Sequence, residues 1–552
     1  MQLFERIVTS RGISLEDIDK FLNPRYEYLH DPFLMPDMQK AVKRLKSALV
    51  RQENITIYGD YDIDGISATA LLIDAFYQFG FKNVNYYIPN RFTEGFGLSK
   101  ESIEVISRMD TNLIVTVDCG SKSHEEVKLA KKLGIDVIVT DHHEVSDEQP
   151  GAVAVINPKR KDSKYPFKDL PGVGVAFKLV QAFQLYLSKN PVKGYPGIEL
   201  GQEKWFLDLV ALGTICDVVD LRDENRINAY WGLKVLTKTR RLGLTSLMTV
   251  SNVEPNKINS RTVGFVLGPR MNAAGRLETA KHALELLLAD NKNLAMERAI
   301  MLDDLNTTRR EEQNKIYQEA LKQAEIYKNQ PVLVLSGSDW NHGIVGIVAS
   351  KILETFKKPV VIFQEMGEIS KGSARSYGDF DLSQALLHLG ALLQKGGGHK
   401  LAAGLTIRTE DIDKVREKLN EFYKLEKINL VKQQSLLLPT ADTKADLSEI
   451  TIKVVEMINK LEPFGQGNPS PILEVDNLEV IEIKKMGSDN QHLKILLKDK
   501  DGYMMNFVSF SFPDEHLVEM GDLVNVLFLP IINEWRDRKT VEGRLMVIDR
   551  LV

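Results

Sequence analysis

The chain has 552 residues, 43% hydrophobic and 27% charged, with a formal net charge of −5. That length supports about three or four domains with cores of their own, and the composition excludes a disordered or fibrous chain. Two cysteines, Cys119 and Cys216, exclude a disulfide framework and a structural zinc site. The acidic balance leaves any nucleic-acid role to local basic patches.

Met1-Gln2-Leu3-Phe4-Glu5-Arg6 lacks the apolar core of a signal peptide, and charge interrupts every apolar run before it could span a bilayer. A cytoplasmic protein without a membrane partner is expected. Residues 1–50 read as helical, ending in Met38–Leu49 with apolar residues at helical spacing. Residues 51–235 alternate strand and helix, with a strand at Ala152–Ile156 and helices at Gly174–Leu187 and Lys204–Ile215. Residues 236–328 read as helical, and Leu294–Tyr327 as one long connecting helix, weakly interrupted near Asn306. A second α/β unit starts at Pro331: strand Val332–Leu335, helix Gly343–Leu353, strand Pro359–Phe363, then the run Gly396-Gly397-Gly398-His399. From about Leu436 the pattern shortens. Leu478–Lys484, His492–Leu497, Met504–Phe510, Leu523–Leu529 and Leu545–Ile548 read as five strands, which fits an OB-fold barrel.

Three acidic clusters each follow an apolar strand. They are Asp60-Tyr61-Asp62-Ile63-Asp64-Gly65 after Ile55–Tyr58, Asp118-Cys119-Gly120 after Leu113–Val117, and Asp141-His142-His143 after Asp136–Thr140. In a parallel α/β sheet the carboxyl ends of the strands line one crevice, so distant residues converge there. Crowded carboxylates repel unless cations hold them, and carboxylate with imidazole suits a hard divalent metal. A fourth candidate, Asp217, lies in an apolar setting at a helix end, where an N-cap or a solvated loop residue is an equal alternative to a ligand. Taken singly, each aspartate is an ordinary turn former. Together they form the pattern in which two cations activate a water and bracket a phosphoryl group.

Other motifs fail on inspection. An EF-hand loop starting at Asp60 would need Glu where Leu71 stands. His143-Glu144 does not continue into a zinc-protease motif, no Walker A sequence is present, and Gly172-Val173-Gly174 reads as close helix packing rather than a dinucleotide loop.

Asp141-His142-His143 resembles the hallmark of the DHH phosphoesterase superfamily. Tyr58–Ser67, Pro89–Leu98, Gly268–Arg276, Gly397–Gly404 and Leu461–Pro469 are similar, in order along nearly the whole chain, to the motifs of RecJ-type exonucleases. The resemblance implies a DHH catalytic domain with an N-terminal helical segment (1–235), a helical connector (236–328), a smaller α/β DHH-associated domain (329–428) and an OB-fold nucleic-acid-binding domain (436–552). It implies 5′→3′ hydrolysis of single-stranded DNA to 5′-mononucleotides with two Mn²⁺ or Mg²⁺ ions. Its setting would be recombinational and mismatch repair, beside a helicase and a single-strand-binding protein. A monomer is expected.

By the same resemblance Asp62 and Asp64 are ligands of the two ions and Asp118 bridges them. His142 and Asp217 hold the second ion, His143 lies beside the scissile phosphate, and Asp60 and Asp141 orient ligands. Arg91, Ser373 and Arg375 are implied at the 5′-terminal phosphate. Cys216 stands where a small inert residue is expected, open to oxidation unless buried.

Arg270, Asn272 and Arg276 belong to a glycine-containing motif whose arginines suit phosphate, each with a surface salt bridge as the bland alternative. Gly397, Gly398 and His399 offer backbone N–H groups to a phosphate, a reading favoured by a helix-like Leu401-Ala402-Ala403-Gly404 downstream. In the barrel, Phe507, Phe510 and Phe512 read as core, and Trp535 beside Arg536 as the better stacking residue. The rivals are a DHH phosphoesterase of short oligoribonucleotides or cyclic dinucleotides, disfavoured by the barrel, and a catalytically dead DNA-binding scaffold, disfavoured by the full set of acids.

Overall fold

The computed structural model describes residues 2–195, 197–429, 432, 434, 436–487, 492–510, 518–536 and 538–551, with the Trp535 side chain outside that set. The chain divides into two compact units: Asp31–Asp217 with Gly232–Leu438, and Met1–His30 with Val218–Trp231 and Pro439–Val552.

In the larger unit, five short β-branched segments form a wholly parallel sheet: β1 (Ile55–Gly59), β2 (Val84–Tyr87), β3 (Leu113–Val117), β4 (Asp136–Thr140) and β5 (Ala154–Ile156). Every residue of β1 and β3 is buried, as expected of strands covered on both faces. The order is β2-β1-β3-β4-β5, so the direction of winding reverses between β1 and β3. A crevice opens at such a switch point, outside the carboxyl ends of the strands. The Asp60 turn and Asp118 flank it, and the Asp141 turn is next along.

Helix α1 (Ile63–Phe79) follows β1 and is apolar almost all round. It packs on α2 (Gly172–Lys189) and α3 (Leu207–Cys216), which accounts for that burial. The connector contains a five-residue π-helix, Val263–Leu267, then α4 (Gly268–Leu277) and the 35-residue α5 (Lys292–Ile326). Asn306 does not interrupt α5, because its buried side chain accepts from Arg309 Nη2 one turn on. Helix α5 also packs on α6 (His342–Phe356), so the connector braces both α/β parts.

A second sheet has β6 (Leu333–Gly337), β7 (Val360–Met366), β8 (Ile369–Arg375), β9 (Lys395–Gly398) and β10 (Ala402–Arg408), in the order β6-β7-β8-β10-β9. This corrects one expectation. The glycine run is an exposed edge strand, antiparallel to β10, and no helix follows it. Ala403, Leu405 and Ile407 are buried at every second position, and that alternation outweighs the helix-forming character of Leu401–Ala403.

The smaller unit holds the barrel. Its strands are the two-residue β11 (Thr443–Lys444), then β12 (Leu473–Met486), β13 (His492–Lys498), β14 (Met504–Phe510), β15 (Leu523–Trp535) and β16 (Arg538–Arg550). β12-β13-β14-β16-β15 pair in that order, and β15 closes back on β12, giving an OB-fold barrel. Phe507 and Phe528 meet edge to face at 5.0 Å in its core. The same core takes in Leu3, Phe4, Ile7 and Val8 from the first helix. The segment 1–50 is thus shared between units: its amphipathic start covers the barrel core, and the chain from Asp31 on, with helix Met38–Arg51, joins the parallel sheet's unit. Buried Arg226 ties the smaller unit together by donating to the carbonyls of Phe21, Leu461 and Glu462. Among the described residues, no helix is long and apolar enough to cross a membrane.

Candidate metal centre and phosphate site

The first acidic turn is organised by helix ends. Asp62 caps α1, its Oδ1 accepting from Gly65 N at 3.1 Å. Asp64 sits in the first turn of α1 and caps α2 as well, accepting from Gly172 N at 2.5 Å and Val173 N at 2.8 Å. Two helix N-termini therefore point at carboxylates, which favours their negative charge. The glycines of Gly172-Val173-Gly174 and of α3 let backbone come this close. A Cβ on Gly172 would lie 2.5 Å from Asp118 Cβ, and one on Gly213 would lie 2.6 Å from Asp64 Oδ1.

Asp118 follows β3 with φ 62°, a left-handed conformation uncommon for a non-glycine residue and typical of functional positions. Asp141 anchors the third turn. Its Oδ1 accepts from His142 N, His143 N and His143 Nδ1, and its Oδ2 from Ser121 N. Burial opposes its ionisation, but the bond and charge of His143 outweigh it and hold the carboxyl well below the usual range. Asn157 Nδ2 donates to the His143 carbonyl and to Ser121 Oγ, bracing the same turn.

His142 Nε2 lies 3.0 Å from Asp118 Oδ1, 3.7 Å from Asp217 Oδ2 and 3.9 Å from Asp64 Oδ2. Burial, then the charge of His143, push its pKa down to about 3, so the ring is neutral and its nitrogen is a candidate ligand atom. His143 behaves oppositely: burial lowers its pKa, but the bond to Asp141 raises it past the ordinary value. Asp217 is not an N-cap. It closes the C-terminal end of α3, its N–H bonded to Gly213 O at 2.8 Å.

Three overlapping sets of ligand atoms lie within 4.8 Å of one another: Asp60, Asp62 and Asp118; Asp64, His142 and Asp217; and Asp118, His142 and His143. Asp60 Oδ1, Asp118 Oδ1, His142 Nε2 and Asp217 Oδ2 are buried with no hydrogen-bond partner; the short His142–Asp118 approach does not have hydrogen-bond geometry. Buried polar atoms are otherwise almost always satisfied. Burial first, and then the neighbouring carboxylates, push Asp64 up to about 7 and Asp217 up to about 9, and raise Asp60 and Asp118 too. An oxygen-rich set with one neutral imidazole fits hard divalent cations such as Mn²⁺ and Mg²⁺. Asp60 falls inside one of these sets, so its own oxygen is a candidate ligand in addition to the orienting role expected of it.

Beside the acids lies a group of arginines. Arg91 stacks on Tyr61 with its guanidinium carbon 4.2 Å from the ring centroid, and its Nε is buried without a partner. Arg375 donates to Ser373 Oγ and to the Ala374 carbonyl. Arg276 donates to the Gly343 carbonyl at the start of α6. Burial first, then Arg91, lowers the pKa of Arg375; burial, then Arg91, Arg309 and Arg375, lowers that of Arg276 to about 10. The three cations are therefore close enough to repel one another. A Cβ on Gly346 of α6 would lie 2.9 Å from Ser373 Oγ and 3.0 Å from Arg375 Nη2, so the helix start is packed directly on this pair.

Family models match three stretches: the DHH family N-terminal domain over 54–214, the DHHA1 domain over 329–425 and the RecJ OB domain over 441–547. The single-stranded-DNA-specific exonuclease RecJ of Bacillus subtilis is 36% identical across the whole chain, which covers 68% of that relative. RecJ of Escherichia coli is 33% identical across the whole chain, which covers 95% of it. The chain belongs to the RecJ exonuclease family. RecJ of Thermus thermophilus in complex with Mn²⁺ has the same fold, at TM-score 0.83 and 26% identity, with all of this chain and 76% of that one aligned.

Other residues of the RecJ motifs have surroundings of their own. Arg270 is engaged by Asp303 at 2.7 Å and by the Val266 carbonyl. Asn272 is half-buried on α4, and Gly397, Gly398 and His399 are exposed on the edge hairpin. Trp535 and Phe512 as stacking or core groups fall outside the described side chains. Phe507 is core as expected, whereas Phe510 is exposed beside His492 at the barrel surface. Cys216 is half-buried, and burial, then Asp62, Asp64 and Asp217, raise the pKa of its thiol, which disfavours the reactive thiolate.

Sequence reasoning missed several groups. Lys371 shares the β8 face of Ser373 and Arg375, a relation that simple alternation would have found. His342 meets Phe92 edge to face at 4.9 Å, and Phe96 meets His143 at 5.1 Å; no local pattern marks either pair.

Proposed function

We propose that this RecJ-family chain degrades single-stranded DNA from the 5′ end, releasing 5′-mononucleotides, with two divalent cations, Mn²⁺ or Mg²⁺. The observation that carries the reading is the set of four buried, unpartnered ligand atoms on Asp60, Asp118, His142 and Asp217 at the sheet's switch point. In this reading Asp62, Asp64, Asp118, His142 and Asp217 hold the cations, with Asp118 shared and Asp60 adjoining it. The cations, when bound, supply the charge that activates a water and offsets the negative charge growing on phosphorus.

The chain's own groups do the rest. Arg91, Ser373 and Arg375 bind the 5′-terminal phosphate and so fix which bond reaches the acids. His143, held through Nδ1 by Asp141, presents Nε2 to the scissile phosphate and, in its protonated form, donates to a phosphoryl oxygen. The buried Asp64 and Asp118 keep their geometry through helix N–H groups and close glycine contacts rather than through solvent. Water attacks phosphorus and the 3′ oxygen leaves, so the product keeps its 5′ phosphate.

The domain roles follow: 1–235 and 329–428 form the catalytic cleft, 236–328 braces it, and the 436–552 barrel holds the strand. We also propose a cytoplasmic monomer acting in recombinational and mismatch repair beside a helicase and a single-strand-binding protein. The test is degradation of end-labelled single strands with Mn²⁺. Loss of mononucleotides from the 5′ end, abolished by chelator, supports the reading; release from the 3′ end, or none, refutes it.

A further inference from the structure

The connector carries an aromatic group that the metal and phosphate sites do not use. Phe265 is 73% exposed, the guanidinium of Arg261 lies 5.4 Å from its ring centroid, and Arg261 is itself exposed. An apolar ring left in solvent inside an ordered helix loses hydrophobic stabilisation and gains no packing in return. The backbone around it is unusual as well. Val263–Leu267 is a π-helix, a form that is rare and concentrated at functional sites.

The position of this turn is specific. The Val263 carbonyl lies 4.0 Å from Cys216 Sγ, and a Cβ on Gly264 would lie 3.7 Å from Ile215 Cγ2. A Cβ on Gly268 would lie 2.7 Å from Cys216 Sγ and 3.6 Å from Ile63 Cδ1. Ile215 and Cys216 immediately precede Asp217, and Ile63 stands between Asp62 and Asp64. The π-turn therefore lies directly against the residues that carry the acids. Val263 and Leu267 are buried, whereas Phe265 in the same turn is exposed.

We propose that Phe265, with Arg261, is a stacking shelf for a base of the single strand on its way to the metal centre. A flat ring with a guanidinium beside it matches a nucleotide in both halves. The ring stacks on any base, and the cation meets the phosphate or adds a cation–π contact. The turn adjoins the residues that carry the acids, and sequence-independent stacking suits a substrate of arbitrary sequence. The inference rests on the exonuclease reading.

The test compares equilibrium binding, in chelator to prevent cleavage, of a 5′-phosphorylated oligothymidylate and an abasic strand of equal length. Wild type is expected to prefer the strand with bases. Phe265→Ala is expected to weaken oligothymidylate by about tenfold and to leave the abasic strand nearly unchanged, whereas Phe265→Trp keeps the preference. Equal weakening on both strands, or none on either, overturns the shelf. If wild type binds and degrades DNA but does not distinguish bases from abasic sites, the shelf fails alone. If wild type neither binds nor degrades the strand, the exonuclease reading fails and takes the shelf with it.

Discussion

Gly213→Ala tests whether packing, rather than charge alone, sets the metal centre. Gly213 lies on α3 one turn before Asp217, whose N–H it accepts at 2.8 Å. An added Cβ would meet Asp64 Oδ1 and Val173 Cγ1, each at 2.6 Å, where ordinary contact begins near 3.4 Å, a shortfall of about 0.8 Å. Helix α3 has no room to retreat on the side of Gly232, where a Cβ would already lie 2.3 Å from the Leu207 carbonyl. The displacement falls on Asp64, which must loosen its bonds to Gly172 N and Val173 N. A misplacement near 1 Å costs about a hundredfold in rate, or about 2.7 kcal/mol of barrier, and overpacking costs about 1–3 kcal/mol of stability. The assay is turnover on single strands at saturating Mn²⁺, with Mn²⁺ affinity by electron paramagnetic resonance and thermal unfolding alongside. Gly174→Ala is the comparison, because the nearest atoms its Cβ would meet belong to Pro171 and Leu170, at 3.0 Å and beyond. Wild-type turnover and Mn²⁺ affinity in Gly213→Ala would refute the argument, whatever the loss of stability.

Arg241 bonds to Asp74 on α1 and Asp208 on α3, ten and nine residues along their helices from Asp64 and Asp217. Arg241→Met leaves Asp208 buried and should cost about 3–5 kcal/mol in denaturant unfolding, and it should weaken Mn²⁺ binding; an unchanged midpoint would show that the clamp carries nothing. Arg375→Ala should reduce the preference for 5′-phosphorylated over 5′-hydroxyl strands by about 1.5–3 kcal/mol, read from initial rates on the two strands, with Mn²⁺ affinity unchanged. Full retention of that preference removes Arg375 from the terminal-phosphate site. Without cations, Asp64 (about 7) and Asp217 (about 9) hold protons in the folded state that the unfolded chain has lost above the ordinary carboxylate range. Stability in chelator should then fall as pH rises from the ordinary carboxylate range, levelling off above about 7 for Asp64 and about 9 for Asp217. Mn²⁺ binding should release protons below those values, fewer as pH passes through about 7 to 9, measurable by calorimetry in two buffers. A flat proton count across that window would contradict the assignment.

Much of the site was legible because its chemistry is local. Each acidic turn follows a strand of β-branched residues, and in a parallel sheet the turns after neighbouring strands must meet. The orienting role expected of Asp141 came from the family resemblance, and three of its four bonds are to the two residues that follow it. What stayed hidden depends on partners far away in sequence. The first helix shows an apolar face at Leu3, Phe4, Ile7 and Val8, but nothing in those letters says that it covers a barrel more than 400 residues on. The glycine run was misread because Leu401-Ala402-Ala403 are good helix formers, and propensity yields to a sheet edge that offers β10 its hydrogen bonds. Arg270 and Arg375 look alike as letters. Only the structure separates an arginine held by Asp303 from one held by a serine and a carbonyl.

The distribution of charge makes a further argument. Asp60, Asp64, Asp118 and Asp217 are buried together, and burial and then neighbouring carboxylates raise their pKa values, while Arg276 and Arg375 are gathered beside them, their pKa values lowered by burial and then by the charge of Arg91. Among the described residues, no salt bridge joins these arginines to any carboxylate, although Arg91 stacks on Tyr61, between Asp60 and Asp62 in sequence. A site built for stability would pair the two sets, since an uncompensated buried charge is strongly destabilising. Keeping them apart preserves two opposite demands, for cations at one cluster and for an anion at the other. A strand end bearing a terminal phosphate, with a phosphodiester lying against bound cations, answers both demands at once. The separation also specifies how each cluster fails. Losing an arginine should damage recognition of the strand end and spare the cations, whereas losing an aspartate should do the reverse.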